Sequence, residues 1–486
     1  MKLKEIMNGV IFENTYGNLD LDISSLQYDS RKVEKGDIFF CVEGFKVDGH
    51  RYIQNAIDKG ATVVICSKEP VKELLEGKVT FIQISDIRKV MAVCASNFYN
   101  NCHKELKLIG ITGTNGKTTS SYMLKKVLET AGYKVGLVGT IANYIGQRKI
   151  DTHRTTPEAL ELHQLFNEMV AEKVDYCIME VSSHSLVLKR VYGLEFEEGI
   201  FTNLTQDHLD FHKTFLNYYN AKLMLFKSSK TSIINIEDEY GRRLFNDVNN
   251  KKITYGTQKN CDVRAEEVYM NSRGINFNLC YNHKKSKVEL GMPGAFNLSN
   301  ALGSAAACLT EGIDIESVAK GLSSVMGVPG RCEVVSRKYN LGYDIILDYA
   351  HTPDSLKQTL KTVKEFTKGK VICVFGCGGD RDTTKRAQMG YIGTQLSDIA
   401  IITSDNPRSE EPLKIIEDIV SGVKNNNYII EENRKEAIKK AVALASSQDT
   451  ILIAGKGHED YQELKTGCVH FDEREIIEEI FTTINC

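Results

Sequence analysis

Lys117 and Thr118 stand at the end of the glycine-rich run "LKLIGITGTNGKTTSSYMLKKVL", between a short apolar stretch and an amphipathic one. A strand, a tight turn and a helix start in that order aim backbone N–H groups and a helix N-terminus at one point, which favours bound phosphate. A lysine there reaches terminal phosphates, and a hydroxyl beside it ligates Mg²⁺. The strict pattern G-x-x-x-x-G-K-[ST] is not met, because position 111 is Ile and the glycines fall at 110, 113 and 116. The placement of Gly113, Thr114, Asn115, Gly116, Lys117, Thr118 and Thr119 still predicts nucleotide binding over a structural turn.

Three further groups bear chemistry. Glu180 ends the apolar run "DYCIME", where a carboxylate at a strand's C-terminal edge suits Mg²⁺, against the plainer reading of a solvated strand-end residue. "FTNLTQDHLDFH" sets Asp207, His208, Asp210 and His212 just beyond another strand, as a metal cluster or as a satisfied hydrogen-bond network. Lys222, in "NYYNAKLMLF", reads by composition alone as a surface lysine. The loop "TSDNPRSEEP" follows the apolar run "DIAII" and puts Pro407 before Arg408, fixing φ next to a planar cation. That arginine either reads a carboxylate or pairs with Glu410 or Glu411 on the surface.

The elements that position these residues follow from periodicity. From about residue 106 the β-branched runs "LKLIGIT", "KVGLVGT", "DYCIMEV", "EGIFTNL" and "TSIINI" alternate with helical spacing, which predicts a mostly parallel sheet with helices on both faces. A second such series, "YDIILDYA", "KVICVFG", "DIAIITS" and "TILIAGKG", begins near Tyr343. Between them, 300–325 reads as helices. The first hundred residues form a smaller α/β unit around "GDIFFCVEG" and "ATVVICS". A chain of 486 residues exceeds one core, and "GVPGRCEVV" punctuates the pattern. Three α/β domains are expected: 1–105, 106–331 with the phosphate loop, and 332–486, which is Rossmann-like.

Apolar residues at 42%, charged residues at 26% and a net charge of −3 describe an ordinary globular chain with no general attraction to nucleic acid or anionic membrane. No run approaches the roughly 20 apolar residues that span a bilayer. The N-terminus lacks the pattern of a signal peptide, so a cytoplasmic location is expected. The thirteen cysteines are scattered and never spaced C-x-x-C, which predicts reduced thiols rather than zinc or disulfides.

Seven motifs, "TGTNGKTT", "MEVSSH", "NLTQDHLDFH", "YYNAKLMLF", "FNLSN", "GRCEVV" and "DYAHTP", occur in an order that resembles the Mur ligases, ATP-dependent amide-forming enzymes of peptidoglycan precursor synthesis. The resemblance covers essentially the whole chain. "FGCGGDRD", "SDNPR" and "AGKGHEDYQ" make it most similar to the members that add the third residue to UDP-N-acetylmuramoyl-L-alanyl-D-glutamate. It implies that the dipeptide carboxylate attacks the ATP γ-phosphate and that an incoming amine displaces phosphate from the acyl phosphate. It also implies Lys117, Glu180, His208 and Lys222 as catalytic groups, with Lys222 carbamylated by CO₂. Two Mg²⁺ ions are held by Thr118, Glu180, His208 and the modified Lys222.

By the same resemblance Asn297, Asn300, Arg331 and Asp348 complete the ATP site. Ser30, Thr155, Thr156, Ser182 and Arg190 contact the UDP-MurNAc-dipeptide, and Leu188 stands where some members carry Gln. Arg381, Asp405, Asn406, Pro407, Arg408, Gly455 and Glu459 receive the amino acid. "DNPR" is the form similar to diaminopimelate-adding members, and lysine-adding ones lack the arginine, so meso-diaminopimelate is the expected substrate and L-lysine the alternative. Glu459 is expected at the far ammonium. A folylpolyglutamate synthase-like ligase or a P-loop NTPase is the more distant alternative. The expected partners are small molecules only, and the protein is expected to act as a monomer.

Overall fold

The computed structural model describes residues 1–44, 47–75, 77–152 and 154–484. The chain divides into two compact units, Met1–Asp262 with Ala306–Gly312, and Val263–Ala305 with Ile313–Cys486.

In the first unit, a small sheet runs in the order Asn14–Tyr16, Thr80–Gln83, Val63–Cys66, Ile38–Phe40, Leu26–Gln27. Its pairs are parallel except at the first edge. Its three central strands are buried on both faces, which is why they read as unbroken apolar runs rather than alternating ones. Asp86 caps the helix Ile87–Phe98 by accepting from Lys89 N–H, and that helix lays Val90, Met91 and Cys94 on the sheet.

The second sheet of this unit carries the phosphate loop. Lys251–Gly256, Ser229–Asn235, Phe196–Phe201, Lys107–Thr112, Tyr176–Glu180 and Val135–Val138 are parallel neighbours in that order, and Asn143–Ile145 and Arg148–Ile150 extend it antiparallel. The strand Lys107–Thr112 lies between Phe196–Phe201 and Tyr176–Glu180. Register sets Glu180 opposite Ile111 and Phe201 opposite Thr112. Three strand ends therefore open beside one glycine-rich turn, the usual place for a ligand in a parallel sheet.

The second unit begins with an antiparallel set, Val263–Asn271, Gly274–Tyr281 and Lys284–Leu290, with an irregularity between Glu266 and Tyr269. Its other sheet runs Glu333–Val334, Asp344–Asp348, Thr450–Ala454, Val371–Phe375, Ile399–Ile402, Tyr428–Ile430, parallel apart from the first edge. Thr450–Ala454, the last of these strands in the chain, lies inside the sheet, and because Asp344–Asp348, Val371–Phe375, Ile399–Ile402 and Thr450–Ala454 are parallel, the loops after Asp348, Phe375, Ile402 and Ala454 all leave one edge. A hairpin, Tyr461–Leu464 with Gly467–His470, follows. Among the described residues no helix is long and apolar enough to cross a membrane.

Candidate functional site

In the first unit the turn 113–116 leads directly into the helix Lys117–Thr130. Gly116 sits at φ +86°, where an L side chain is strained, and a Cβ on Gly113 would lie 1.8 Å from Thr202 Oγ1, so the turn favours glycine at both positions. Lys117 Nζ donates to the carbonyls of Gly113 (2.8 Å) and Thr114 (2.9 Å). Lys222, on the helix Phe215–Lys227, donates to the same Gly113 carbonyl at 2.8 Å. Its side chain is 2% exposed and lies over the Tyr218 ring. Burial first, and the Lys117 charge second, push its pKa well below the ordinary lysine value. The composition-based reading of a surface lysine fails, because this helix turns Lys222 inward under the loop.

Glu180 is fully buried. Thr118 Oγ1 donates to it at 2.7 Å, Thr140 N–H at 2.9 Å and Thr140 Oγ1 at 2.9 Å. None of these is a cation, and no ion pair of Glu180 occurs among the described residues. A buried carboxylate held only by neutral donors is short of positive charge, which is the condition a hard cation meets. A Cβ on Gly139 would press within 2.4 Å of Glu180 Oε1, so that glycine keeps the carboxylate in place. Sequence reasoning missed Gly139 and Thr140, which carry no motif signal.

His208 occupies the left-handed region at φ +52° and packs edge-on against His184 with centroids 4.8 Å apart. Burial lowers its pKa, leaving a neutral imidazole suited to ligation. His184 is lowered to about 4, again mainly by burial. His212 instead shares a hydrogen bond with Ser183 Oγ (2.8 Å), so that part of the cluster is structural.

Thr156 Oγ1 donates to the Glu180 carbonyl (2.7 Å) and accepts from Ser182 N–H (3.2 Å), and Thr155 Oγ1 lies 3.1 Å from Thr140 Oγ1. Arg190 donates to Thr156 O (2.9 Å) and pairs with the buried Glu158 (3.0 Å), which also holds Arg88 (3.0 Å) and Arg154 (3.2 Å). Thr155, Thr156, Ser182 and Arg190 thus form one network beside Glu180. Ser30 begins a short 3₁₀ turn capped by Asp29 and is buried. Leu188 ends the short helix Ser183–Val187.

In the second unit, Asn297 donates to Pro293 O (2.7 Å), and Asn300 donates to Asn297 Oδ1 (3.4 Å). Asp348 accepts from Cys332 N–H (2.8 Å), Ala350 N–H (2.9 Å) and Thr359 Oγ1 (3.2 Å), and burial raises its pKa. The Arg331 guanidinium lies over the Tyr349 ring at 4.7 Å.

The loop 403–412 sits against the loops that follow Phe375 and Ala454. Gly379 N–H donates to Asn406 O (2.9 Å), and a Cβ on Gly455 would come within 2.8 Å of Asp405 Oδ2. Asp405, Asn406 and Glu459 converge on Lys456, which is fully buried: its Nζ lies 3.6 Å from Asp405, 2.9 Å from Asn406 Oδ1 and 3.3 Å from Glu459. Burial pushes the Glu459 carboxyl up, while the Lys456 charge draws it back. Arg408 stands at φ +54° and pairs with Glu463 (2.7 Å), not with Glu410 or Glu411; Glu410 pairs with the buried Arg386 instead (2.8 Å). Arg434 and Glu473, both fully buried, pair at 2.7 Å. Arg434 also donates to Ser404 O (3.4 Å) and Ala454 O (2.8 Å), tying two of these loops together. Arg381 is exposed and donates only weakly to Asp380 O, at 3.3 Å. Lys456, Arg386, Arg434 and Glu463 escaped sequence reasoning, since a charged residue carries no mark of its partner.

Family models match the chain in three successive stretches: "Mur ligase family, catalytic domain" over 22–99, "Mur ligase middle domain" over 111–308, and "Mur ligase, glutamate ligase domain" over 330–457. A UDP-N-acetylmuramoyl-L-alanyl-D-glutamate–2,6-diaminopimelate ligase of Clostridium acetobutylicum is 60% identical over 479 residues, covering 99% of each chain. The enzyme of the same name from Clostridium tetani is 58% identical over 480 residues, again covering 99% of each. A solved structure bearing that enzyme name superposes with a TM-score of 0.72 at 29% identity, covering 100% of this chain and 99% of the other.

Proposed function

This chain belongs to the Mur ligase family, and from that premise we propose that it is an ATP-dependent ligase that joins meso-diaminopimelate to the D-glutamate carboxylate of UDP-N-acetylmuramoyl-L-alanyl-D-glutamate. The product is a cytoplasmic peptidoglycan precursor. The domains are 1–105 for the UDP-sugar, 106–331 for ATP and 332–486 for the amino acid.

The observation that carries this reading is the buried Lys222 donating to the carbonyl of Gly113 in the phosphate loop. A kinase or an NTPase switch has no need of a second, desolvated lysine there. A neutral amine reacts with CO₂, forming an N–C bond and losing one proton, and the lowered pKa of Lys222 makes that amine available. The resulting carbamate oxygens, with Thr118, Glu180 and His208, would hold Mg²⁺. Bound there, Mg²⁺ offsets the negative charge that gathers when a carboxylate meets a triphosphate.

The chain's own residues do the rest. Lys117 and the N–H groups of 113–119 hold the β- and γ-phosphates, with Asn297, Asn300, Arg331 and Asp348 holding the rest of the nucleotide. Ser30, Thr155, Thr156, Ser182 and Arg190 orient the UDP-linked dipeptide so that its carboxylate lies in line with the γ-phosphate. Arg381, Asp405, Asn406, Pro407, Arg408, Gly455 and Glu459 present the amine that displaces phosphate from the acyl phosphate. No nucleophilic side chain is called for, in keeping with the eleven buried free thiols among the described cysteines.

Product analysis by mass spectrometry tests the reading: ATP and Mg²⁺ should yield UDP-MurNAc-tripeptide and ADP only when the UDP-linked dipeptide is present. ATP turnover independent of that dipeptide would contradict it.

A further inference from the structure

The Glu180 carboxylate is gripped from a neighbouring strand end. Val135–Val138 runs parallel to Tyr176–Glu180 with Val138 opposite Met179, so Thr140 emerges beside the carboxylate. Thr140 N–H donates to Glu180 Oε1 and the Thr140 hydroxyl to Oε2, both at 2.9 Å. One residue thus contacts both oxygens and fixes the plane in which they lie. Thr118 Oγ1 adds a third bond, to Oε2 at 2.7 Å. The turn that carries Thr140 is held in its own right, since Gly139 N–H donates to Oδ1 of the buried Asn143 at 3.3 Å.

These hydroxyls are ordered as well as placed. A threonine hydroxyl has one proton, and that of Thr140 goes to Glu180. Thr155 Oγ1, 3.1 Å away, is therefore the donor to Thr140 Oγ1. Protons point from Thr155 to Thr140 to Glu180, and in such a chain each bond polarises the next. The adjoining Thr156 is tied to the same strand end, its Oγ1 donating to Glu180 O at 2.7 Å. Side chains and backbone both keep the Thr155–Thr156 segment in register with Glu180.

On the function proposed above, Thr155 meets the UDP-linked dipeptide and Glu180 meets Mg²⁺. We propose that Thr140 is a positioning residue that aims Glu180 at the cation and couples that carboxylate to the dipeptide through Thr155. A cation that draws on the Glu180 charge loosens the carboxylate's hold on the Thr140 proton. Thr140 then becomes a poorer acceptor, and the Thr155 hydroxyl turns more readily to a carbonyl or carboxylate oxygen of the dipeptide. Linkage makes the effect mutual. A dipeptide oxygen that takes the Thr155 proton weakens Thr140 as a donor, which leaves Glu180 less satisfied by neutral groups and more receptive to a cation. Cation and dipeptide thus strengthen each other's binding before any chemistry occurs.

The test is a binding measurement on the full-length protein saturated with a non-hydrolysable ATP analogue. UDP-N-acetylmuramoyl-L-alanyl-D-glutamate is titrated calorimetrically in Mg²⁺ and in EDTA, and the ratio of the two Kd values reads the coupling. The wild type should bind the dipeptide at least about fivefold more tightly in Mg²⁺, the lower end of ordinary couplings between sites. Thr140→Val keeps the shape and removes the hydroxyl, and should lower that ratio about fivefold or to unity. Thr140→Ser keeps the hydroxyl and should hold the ratio within about twofold of wild type. A wild-type ratio near one would overturn the proposal without any variant. So would a Thr140→Val protein with the wild-type ratio, whether its affinities in Mg²⁺ and EDTA are unchanged or fall together, because a residue that only packs moves both alike. A Thr140→Ser protein that loses as much as Thr140→Val would overturn it too. A wild type that binds the dipeptide in neither condition would remove the proposed function itself, a failure distinct from all of these.

Discussion

A lysine whose amine lies under a phosphate loop at 2% exposure keeps that place at a cost in desolvation, and its replacement separates structure from chemistry. Lys222→Ala is expected to fold and bind nucleotide but to lose ligation by about 10³-fold or more, the scale of a lost charge-stabilising group. Added bicarbonate should not restore it. Phosphate release at wild-type rates would contradict the carbamate. Arg408→Ala should raise KM for diaminopimelate by roughly 10² while KM for ATP stays within a few fold, since a guanidinium fork reads only the far carboxylate; equal losses for both substrates would make the arginine structural. Both residues were legible from the sequence only through the motifs around them. What surrounds them was not: Lys456 lies 50 positions from Asn406 and Glu463 lies 55 from Arg408, and a partner brought in by a separate strand or hairpin leaves no local trace.

At the scale of elements, the buried parallel strands were readable because burial on both faces writes an unbroken apolar run, as in "VICVF" and "TILIA". The antiparallel set 263–290 was not recognised. Its burial alternates along Gly274–Tyr281, and the polar half of that alternation dilutes the apolar signal. The helix Ala159–Ala171 was not singled out, and it carries a pH-sensitive contact. His163 on that helix meets His103 of the preceding 3₁₀ turn, rings 5.2 Å apart, with the Nδ1 of each unpartnered. Burial lowers their pKa values from 6.5 to about 3 and about 4. Both are neutral in the folded state, so the stability they permit is full above pH 6.5 and is lost as pH falls toward those values, because only the unfolded chain gains protons there. His163→Leu should therefore flatten the decline of Tm between pH 6.5 and pH 4.5 in calorimetry. Parallel declines for variant and wild type would show that the pair does not titrate in this way.

For the whole molecule, three successive family stretches and 99% coverage by a 60% identical relative mean that no segment of this chain stands outside the ligase architecture by much. A nucleotide that binds only the folded protein stabilises it by mass action, by about 2.7 kcal/mol at a hundredfold excess over Kd, and so raises Tm. A non-hydrolysable ATP analogue should do so more strongly with Mg²⁺ than with EDTA. Glu180→Gln should remove most of that difference, since it cancels the charge of the buried carboxylate that lacks a cation. An unchanged Mg²⁺ increment would place the ion elsewhere. The central claim is that this chain ligates an amino acid chosen by its second carboxylate. The most direct measurement is phosphate release by the purified protein with ATP, Mg²⁺ and UDP-N-acetylmuramoyl-L-alanyl-D-glutamate, with either meso-diaminopimelate or L-lysine added. Release with diaminopimelate alone is predicted; release with lysine to an equal extent would contradict the role given to Arg408, and release with neither would contradict the ligase itself.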